Sequence, residues 1–263
     1  MRVYVGCSGF YYKDWVGNFY PASLKREDYL RFYAKHFEVV EVNASFYTFP
    51  NRGTVKSMLS RAPNLRFAFK AHRSFTHTRN YTEEGAKKFL QALEPVLAED
   101  RFVALLFQFP ESFGYGQEQV EYIKGLSKAF RGLPKVVEVR NKSFKKADFY
   151  ALVQEMGFSM VNVDAPKGEG FLVGPWVGVG EINYLRLHGR DPQKPYDYLY
   201  SLEELRKLKD KLRKLPKRET FVFFNNTLRA QAVLNALQFK LLLGLPAEVP
   251  ASLEKSLRES EWE

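Results

Sequence analysis

Phe37–Tyr47 reads "FEVVEVNASFY" and Pro134–Phe144 reads "PKVVEVRNKSF". Each holds the string Val-Val-Glu-Val, at Val39–Val42 and Val136–Val139, with one carboxylate, Glu41 or Glu138, set inside a β-branched run. Runs of this kind read as buried strands. A carboxylate buried in one is costly unless a partner is provided. The two glutamates therefore call for cationic neighbours elsewhere in the chain.

Working outward, strand-like runs recur at Arg2–Gly6, Glu38–Asn43, Arg66–Ala71, Phe102–Phe109, Lys135–Arg140, Phe158–Asp164, Ile182–His188 and Thr220–Asn225. Segments of helical period separate them: Leu24–His36, Thr54–Ser60, Glu83–Leu97, Gln117–Phe130, Ala147–Met156 and Leu202–Leu215, with Leu228–Leu243 after the last strand. Strands alternating with helices imply parallel βαβ units. Eight such strands in a chain of 263 residues predict a single closed (β/α)₈ barrel over residues 1–244, followed by a polar tail at 245–263 that carries a short capping helix. Between the sixth and seventh strands "APKGEGFLVGPWVGVG" has no helical period, so a loop is expected in place of that helix.

Parity separates the barrel from an open doubly wound sheet. Alternate strand residues face the outer helices or the lumen. With Val40, Val42, Phe67, Phe69, Leu105, Phe107, Val137, Val139, Leu185 and Leu187 outward, the polar residues fall on the inward parity and gather at the C-terminal strand ends. That end is where barrel active sites form. The two Val-Glu strings lie three strands apart, whereas duplicated half-barrels would place them four apart, so they are not an internal repeat.

The formal charge of +10 favours anionic partners, although many of the bases sit in Leu205–Arg218, which reads as a solvated helix face. No run approaches the roughly 18–20 apolar residues of a membrane span. The opening "MRVYVGCSG" reads as a strand without a signal-peptide core, and Cys7 is the only cysteine, so a cytoplasmic protein is expected. Cys7 itself reads as a buried thiol, not a nucleophile.

The predicted mouth gathers Glu41, Lys70, Glu138, Arg140, Asp164, Arg186 and His188, with Asn43, His72, Gln108 and Asn225 beside them. Lys70, Arg140 and Arg186 are the expected partners of the glutamates. Three chemistries compete with a purely structural ion-pair lattice. No cofactor is called for, but a divalent metal has a ligand set in His72, His188, Glu41, Glu138 and Asp164. A carbohydrate-active enzyme would pair Glu41 with Glu138. An anion site would use Lys70, Arg140, Arg186 and His188 to hold a phosphate or carboxylate, under loops rich in aromatics and bases such as "SGFYYKDWVGNFYP" and "HRSFTHTRNY".

Several stretches resemble successive signature blocks of the YecE-like family, domain of unknown function 72: "VGCSGFYYKDWVGNFYP", "EVNASFYTFP", "FAFKAHRSFTH", "LLFQFPESF", "VVEVRNKSF", "LRLHGR" and "FVFFNNTLRAQAVLNALQF". The resemblance runs from Val5 to about Phe239 and departs from the family's usual threonine at Cys7. It implies a TIM barrel. It marks Glu41, Asn43, Lys70, His77, Gln108, Glu138, Arg140, His188, Gly189, Asn225 and Asn226 as signature positions and assigns them no role.

The leading expectation is a barrel binding, and as a hydrolase processing, a phosphate-bearing, ring-containing ligand such as a nucleotide or nucleic acid. Glu41, Glu138 and His188 are the candidate catalytic residues. Asn43, Lys70, His77, Gln108, Arg140, Arg186, Asn225 and Asn226 are the candidate substrate-binding residues. The alternatives are a non-catalytic nucleic-acid or partner-binding module and a carbohydrate-active enzyme.

Overall fold

The protein is described from a computed structural model that covers residues 2–166, 171–194 and 196–259. Eight parallel strands close into one barrel in sequence order. They are β1 Val3–Ser8, β2 Val39–Val42, β3 Arg66–Lys70, β4 Phe102–Gln108, β5 Lys135–Glu138, β6 Ser159–Asp164, β7 Asn183–Leu187 and β8 Thr220–Phe224. The helices are α1 Tyr29–His36, α2 Ala44–Tyr47, α3 Arg52–Arg61, α4 Arg73–Thr76, α5 Glu83–Ala98, α6 Gln117–Ala129, α7 Ala147–Glu155, α8 Leu202–Arg213, α9 Gln231–Leu242 and α10 Ala251–Arg258. Local chemistry sets several starts. Thr82 accepts from the Gly85 N–H ahead of α5, and Ser201 with Glu204 forms a reciprocal capping box on α8.

Two apolar layers follow the predicted parity. Val5, Cys7, Val40, Val42, Phe67, Phe69, Leu105, Phe107, Val137, Val139, Leu185 and Leu187 pack outward against the helices. Val39, Ala68, Leu106, Val136, Val161, Val163, Tyr184, Phe221 and Phe223 fill the lumen. At the N-terminal end Tyr4 stacks on Phe221 at 5.2 Å, with Arg66 over both rings and ion-paired to Glu219 at 2.9 Å. The lumen is therefore packed through its middle, with the Arg66–Glu219 pair at its floor and the larger ionic layer at the C-terminal end.

No helix lies between β6 and β7 among the described residues, as the aperiodic sequence predicts; residues 167–170 of that stretch lie outside them. The segment runs along the outside of β6 instead. The Asn162 amide reproduces a strand ladder there, donating to the Val177 carbonyl at 3.0 Å and accepting from its N–H at 2.6 Å. Leu172, Trp176, Val177 and Val179 then cover the apolar surface a helix would have covered.

Two predicted helices are shorter than their periodicity. The chain before α1 is a 3₁₀ turn at Arg26–Asp28. Before α9, Arg229 and Ala230 take positive φ values of 50° and 60°, so Leu228–Ala230 cannot continue into the helix. The tail carries α10, which buries Leu253 and Leu257, and its Ser252 hydroxyl donates to the Phe19 carbonyl. No helix among the described residues is long and apolar enough to cross a membrane.

The seam between β1 and β2 is unusual. These strands pair only at Cys7↔Val40 and Ser8↔Glu41. Below that point the Tyr33 hydroxyl of α1 sits between them, accepting from the Cys7 N–H at 2.8 Å and donating to the Val39 carbonyl at 3.0 Å. A Cβ on Gly6 would lie 2.1 Å from that same carbonyl oxygen, so glycine is required for the approach. Tyr33→Phe leaves two buried backbone groups unpaired. The expected loss is about 2–4 kcal/mol in denaturant unfolding; an unchanged midpoint would show that the hydroxyl is not part of the closure.

Candidate functional site

The polar layer is built from strand ends. Glu41 of β2, Glu138 of β5 and Arg186 of β7 are 0%, 1% and 2% exposed, and they form one unit. Arg186 grips Glu41 with two nitrogens, Nε to Oε2 at 3.0 Å and Nη2 to Oε1 at 2.8 Å. Its remaining terminal nitrogen reaches Glu138 Oε2 at 2.6 Å. Tyr184 adds its hydroxyl to Glu41 Oε2 at 2.7 Å, and Arg140 donates through Nε to Glu138 Oε1 at 3.3 Å. All four carboxylate oxygens thus accept a hydrogen bond, which answers the cost of burying them. Burial alone would raise the Glu138 carboxyl, but Arg186 and Arg140 outweigh it and hold it well below the usual carboxylate range. Burial would lower Arg186, and the two glutamates instead raise it.

Lys70, at the end of β3, is different. Its ammonium has no ion pair among the described residues; it donates to Gln108 Oε1 at 2.9 Å and lies 4.2 Å from the centre of the Phe46 ring. Burial first, and Arg186 second, bring its pKa down to about 8. Gln108 is fixed in turn, because its Nε2 donates to the Phe109 carbonyl at 3.1 Å and so presents its oxygen to Lys70. His77 meets the other part of Phe46 edge-on at 4.8 Å. Burial, then Lys70, Arg140 and Arg79, lower its pKa to about 4.

His188 follows β7 and is 1% exposed. Burial and the Arg186 guanidinium keep it neutral near pH 7. Asn225 places its amide nitrogen 2.9 Å from Nδ1, which leaves the ring proton on Nε2, a buried atom with no hydrogen-bond partner. Ser8 Oγ and Asn43 Oδ1, at the ends of β1 and β2, are buried and unpartnered as well. Phe171 closes over this corner, 4.9 Å from the His188 ring and 4.6 Å from the Arg140 guanidinium. Tyr196 meets the other edge of His188 at 5.8 Å.

The structure thus joins Glu41, Lys70, Gln108, Glu138, Arg140, Arg186, His188 and Asn225, with His77 beside Lys70. Four sequence expectations are corrected. Lys70, expected to pair with a glutamate, donates to the neutral Gln108 oxygen instead. Arg186 does not face the mouth as an anion ligand, because both glutamates occupy its guanidinium. Asp164 lies on the outward parity of β6, bound by Arg190 at 2.8 and 2.9 Å and by the Tyr200 hydroxyl at 2.9 Å. Asn226 likewise faces away from the lumen, donating to the Tyr198 carbonyl and to Asn235.

The expected metal set is therefore dispersed. His72 caps α4 by accepting from the Ser74 N–H, Asp164 is on the outer wall, and the glutamates are held by Arg186. No group of three or more His, Cys, Asp or Glu side chains among the described residues could hold a metal ion. Cys7 is buried on the outer face, and burial pushes its thiol up.

Sequence reading missed four ring contributors: Tyr184, Phe46, Phe171 and Tyr196. Tyr184 shares the parity of Arg186 and His188 and was within reach of the alternation argument. The others sit in irregular chain, where no period marks which way a side chain points.

The loops of this face are also distinctive. Of the five large hydrophobics exposed among the described residues, Tyr11, Tyr47, Leu199 and Leu228 lie here. So do Arg79, Tyr196, Arg229 and Ala230, four of the five described non-glycine residues with positive φ. Strained backbone and exposed apolar surface concentrate where function is built. A groove of about 390 Å³ between Tyr11, Arg26, Met58 and Arg61 lies beside the mouth, and none of the charged lumen residues lines it.

Together these features define a parallel (β/α)₈ barrel with an ionic layer at the C-terminal mouth. The sequence matches the family described as "Protein of unknown function DUF72" over residues 4–259, and the chain belongs to that family. The UPF0759 protein YunF of Bacillus subtilis (strain 168) is 30% identical over 271 residues, 92% of this chain and 95% of its own length. The crystal structure of a DUF72 family protein from Thermotoga maritima is 34% identical with a TM-score of 0.83, covering 93% of this chain and 100% of that one. One from Enterococcus faecalis is 26% identical with a TM-score of 0.81, covering 94% and 97%.

The ionic unit has a testable energetic consequence. Glu138 stays charged in the folded protein below the pH, about 4.3, at which glutamates of the unfolded chain protonate. Its contribution is complete above that pH and is lost as pH falls towards its own depressed value. Glu138→Gln leaves Arg186 with one carboxylate and is expected to cost about 3–5 kcal/mol at pH 7. The difference from wild type, read by denaturant unfolding, should shrink as the pH is taken below about 4. A constant difference would show that the charge of Glu138 is not what stabilises the fold.

Proposed function

We propose that the mouth binds a ligand that joins an anionic group, such as phosphate, to a flat ring, as in a nucleotide or a nucleic-acid strand. The observation that carries this reading is the distribution of charge. Glu41 and Glu138 are neutralised by Arg186 and Arg140, which leaves the Lys70 ammonium as the net positive charge of the cluster. Arg140 adds direction: its side chain is 21% exposed, and its two terminal nitrogens have no hydrogen-bond partner among the described residues. Both cations lie against aromatic faces, Phe46 and Phe171, which is the pairing that suits a base attached to a phosphate. Neutral His188 lies beneath Phe171 with its Nε2–H buried and unpartnered. In this reading Glu41 and Glu138 orient the guanidiniums. A glycosidase role would require one of them as a protonated acid, a part that Glu138, held ionised by Arg186 and Arg140, does not fit.

The test uses adenosine monophosphate and inorganic phosphate as probes in calorimetric titration. Lys70→Ala and Arg140→Ala should each weaken adenosine monophosphate binding about tenfold or more, as loss of a charge-assisted contact implies. Neutralising Lys207, which is exposed on α8 and paired with Glu203, should change it little. Affinity should fall as pH rises through about 8, because Lys70 then loses its proton. In Lys70→Arg the charge persists, so that decline should vanish. Equal effects at Lys70 and Lys207 would reduce the attraction to bulk charge and sink the proposal.

A further inference from the structure

Lys70 is the ionisable group of the mouth that the ion-pair lattice leaves out. Two carboxylates lie in the same layer, yet both are committed to guanidiniums, and the lysine's hydrogen-bond partner is the neutral Gln108 oxygen. The groups acting on it come from every neighbouring strand end. Arg186 of β7 and Arg140 after β5 oppose its charge, Glu138 of β5 and Glu41 of β2 favour it, and the Phe46 face favours it too. His77, beyond Phe46, is neutral near pH 7. Gln108 is anchored by the Phe109 carbonyl and so holds Nζ in one place. An amine that is fixed, partly accessible and without a counter-ion beside two guanidiniums is arranged as a nucleophile, by the same logic that activates lysines next to other cations.

We propose that Lys70 forms an imine with an aldehyde or ketone that also carries an anionic group, the carbonyl carbon being delivered to Nζ while Arg140 holds the anion. This rests on the anion-binding reading of the mouth and adds covalent chemistry to it. The Nζ lone pair attacks the carbonyl carbon, a C–N bond forms, and the π pair moves to oxygen, which takes up the proton leaving nitrogen. A second proton transfer to the resulting hydroxyl expels water and leaves the C=N bond. No oxidant or reductant is needed.

The experiment treats the whole protein with pyridoxal 5′-phosphate, a ring-bearing phosphorylated aldehyde, reduces any imine with borohydride, and maps the modified lysines by mass spectrometry. Lys70 should be labelled about tenfold faster at pH 7.5 than the exposed α8 lysine Lys207, since its larger free-amine fraction outweighs its lower intrinsic nucleophilicity. Excess inorganic phosphate should slow labelling of Lys70 selectively. Lys70→Arg, with an unchanged thermal melt, should lose the selective adduct. Labelling spread over surface lysines in wild type, with Lys70 unfavoured, overturns the inference whatever the variant does. Titration with pyridoxine 5′-phosphate, the alcohol that cannot form an imine, separates the two claims. If it binds but Lys70 stays unlabelled, the imine chemistry alone fails; if it does not bind, the anion site fails with it.

Discussion

A single guanidinium between two carboxylates organises the mouth of this barrel. Arg186 reaches Glu41 across one side of the lumen and Glu138 across another, so three strands that are not neighbours are tied at one height. The arrangement is costly to desolvate and is worth keeping only because all four oxygens are satisfied. Everything above it follows. With the glutamates committed, Arg140 has terminal nitrogens to offer, Lys70 has no counter-ion, and His188 is held neutral beside a fixed positive charge.

Below this layer the barrel is an ordinary packed one, with aliphatic and aromatic side chains in the lumen and a stacked Tyr4–Phe221 floor under Arg66. The rigid part and the chemically unusual part are therefore separated along the barrel axis. Departures from regular backbone lean the same way: positive φ at Arg79, Tyr196, Arg229 and Ala230 belongs to the mouth loops, and Asp100, just before β4, is the exception.

Much of this was legible in the sequence because a strand has a period of two. Placing Val40 and Val42 outward forces Glu41 inward, and the same step places Glu138 and Arg186. The parity rule also explains where reading failed. Asp164 was grouped with the mouth by type, but counting from Met160 puts it on the outer parity, where Arg190 and Tyr200 meet it. The pairing of Arg186 with the glutamates follows from the sequence, but that it binds both at once, leaving no nitrogen for a ligand, does not. Phe46, Phe171 and Tyr196 lie in aperiodic chain, so nothing local signals that they converge on Lys70, Arg140 and His188. The aperiodicity between β6 and β7 was itself informative, since it announced the absent helix.

That absent helix leaves the wall of the barrel thin at β6, and one stretch of chain serves both sides of it. Phe171 lies over Arg140 and His188 at the mouth, while Trp176, five residues on, faces the Val163 carbonyl from outside with its indole N–H at 3.4 Å and has Lys211 5.4 Å from its ring centre. The roof of the mouth and the outer cover of β6 are therefore one covalent unit, with Phe171 at one end and Trp176 at the other.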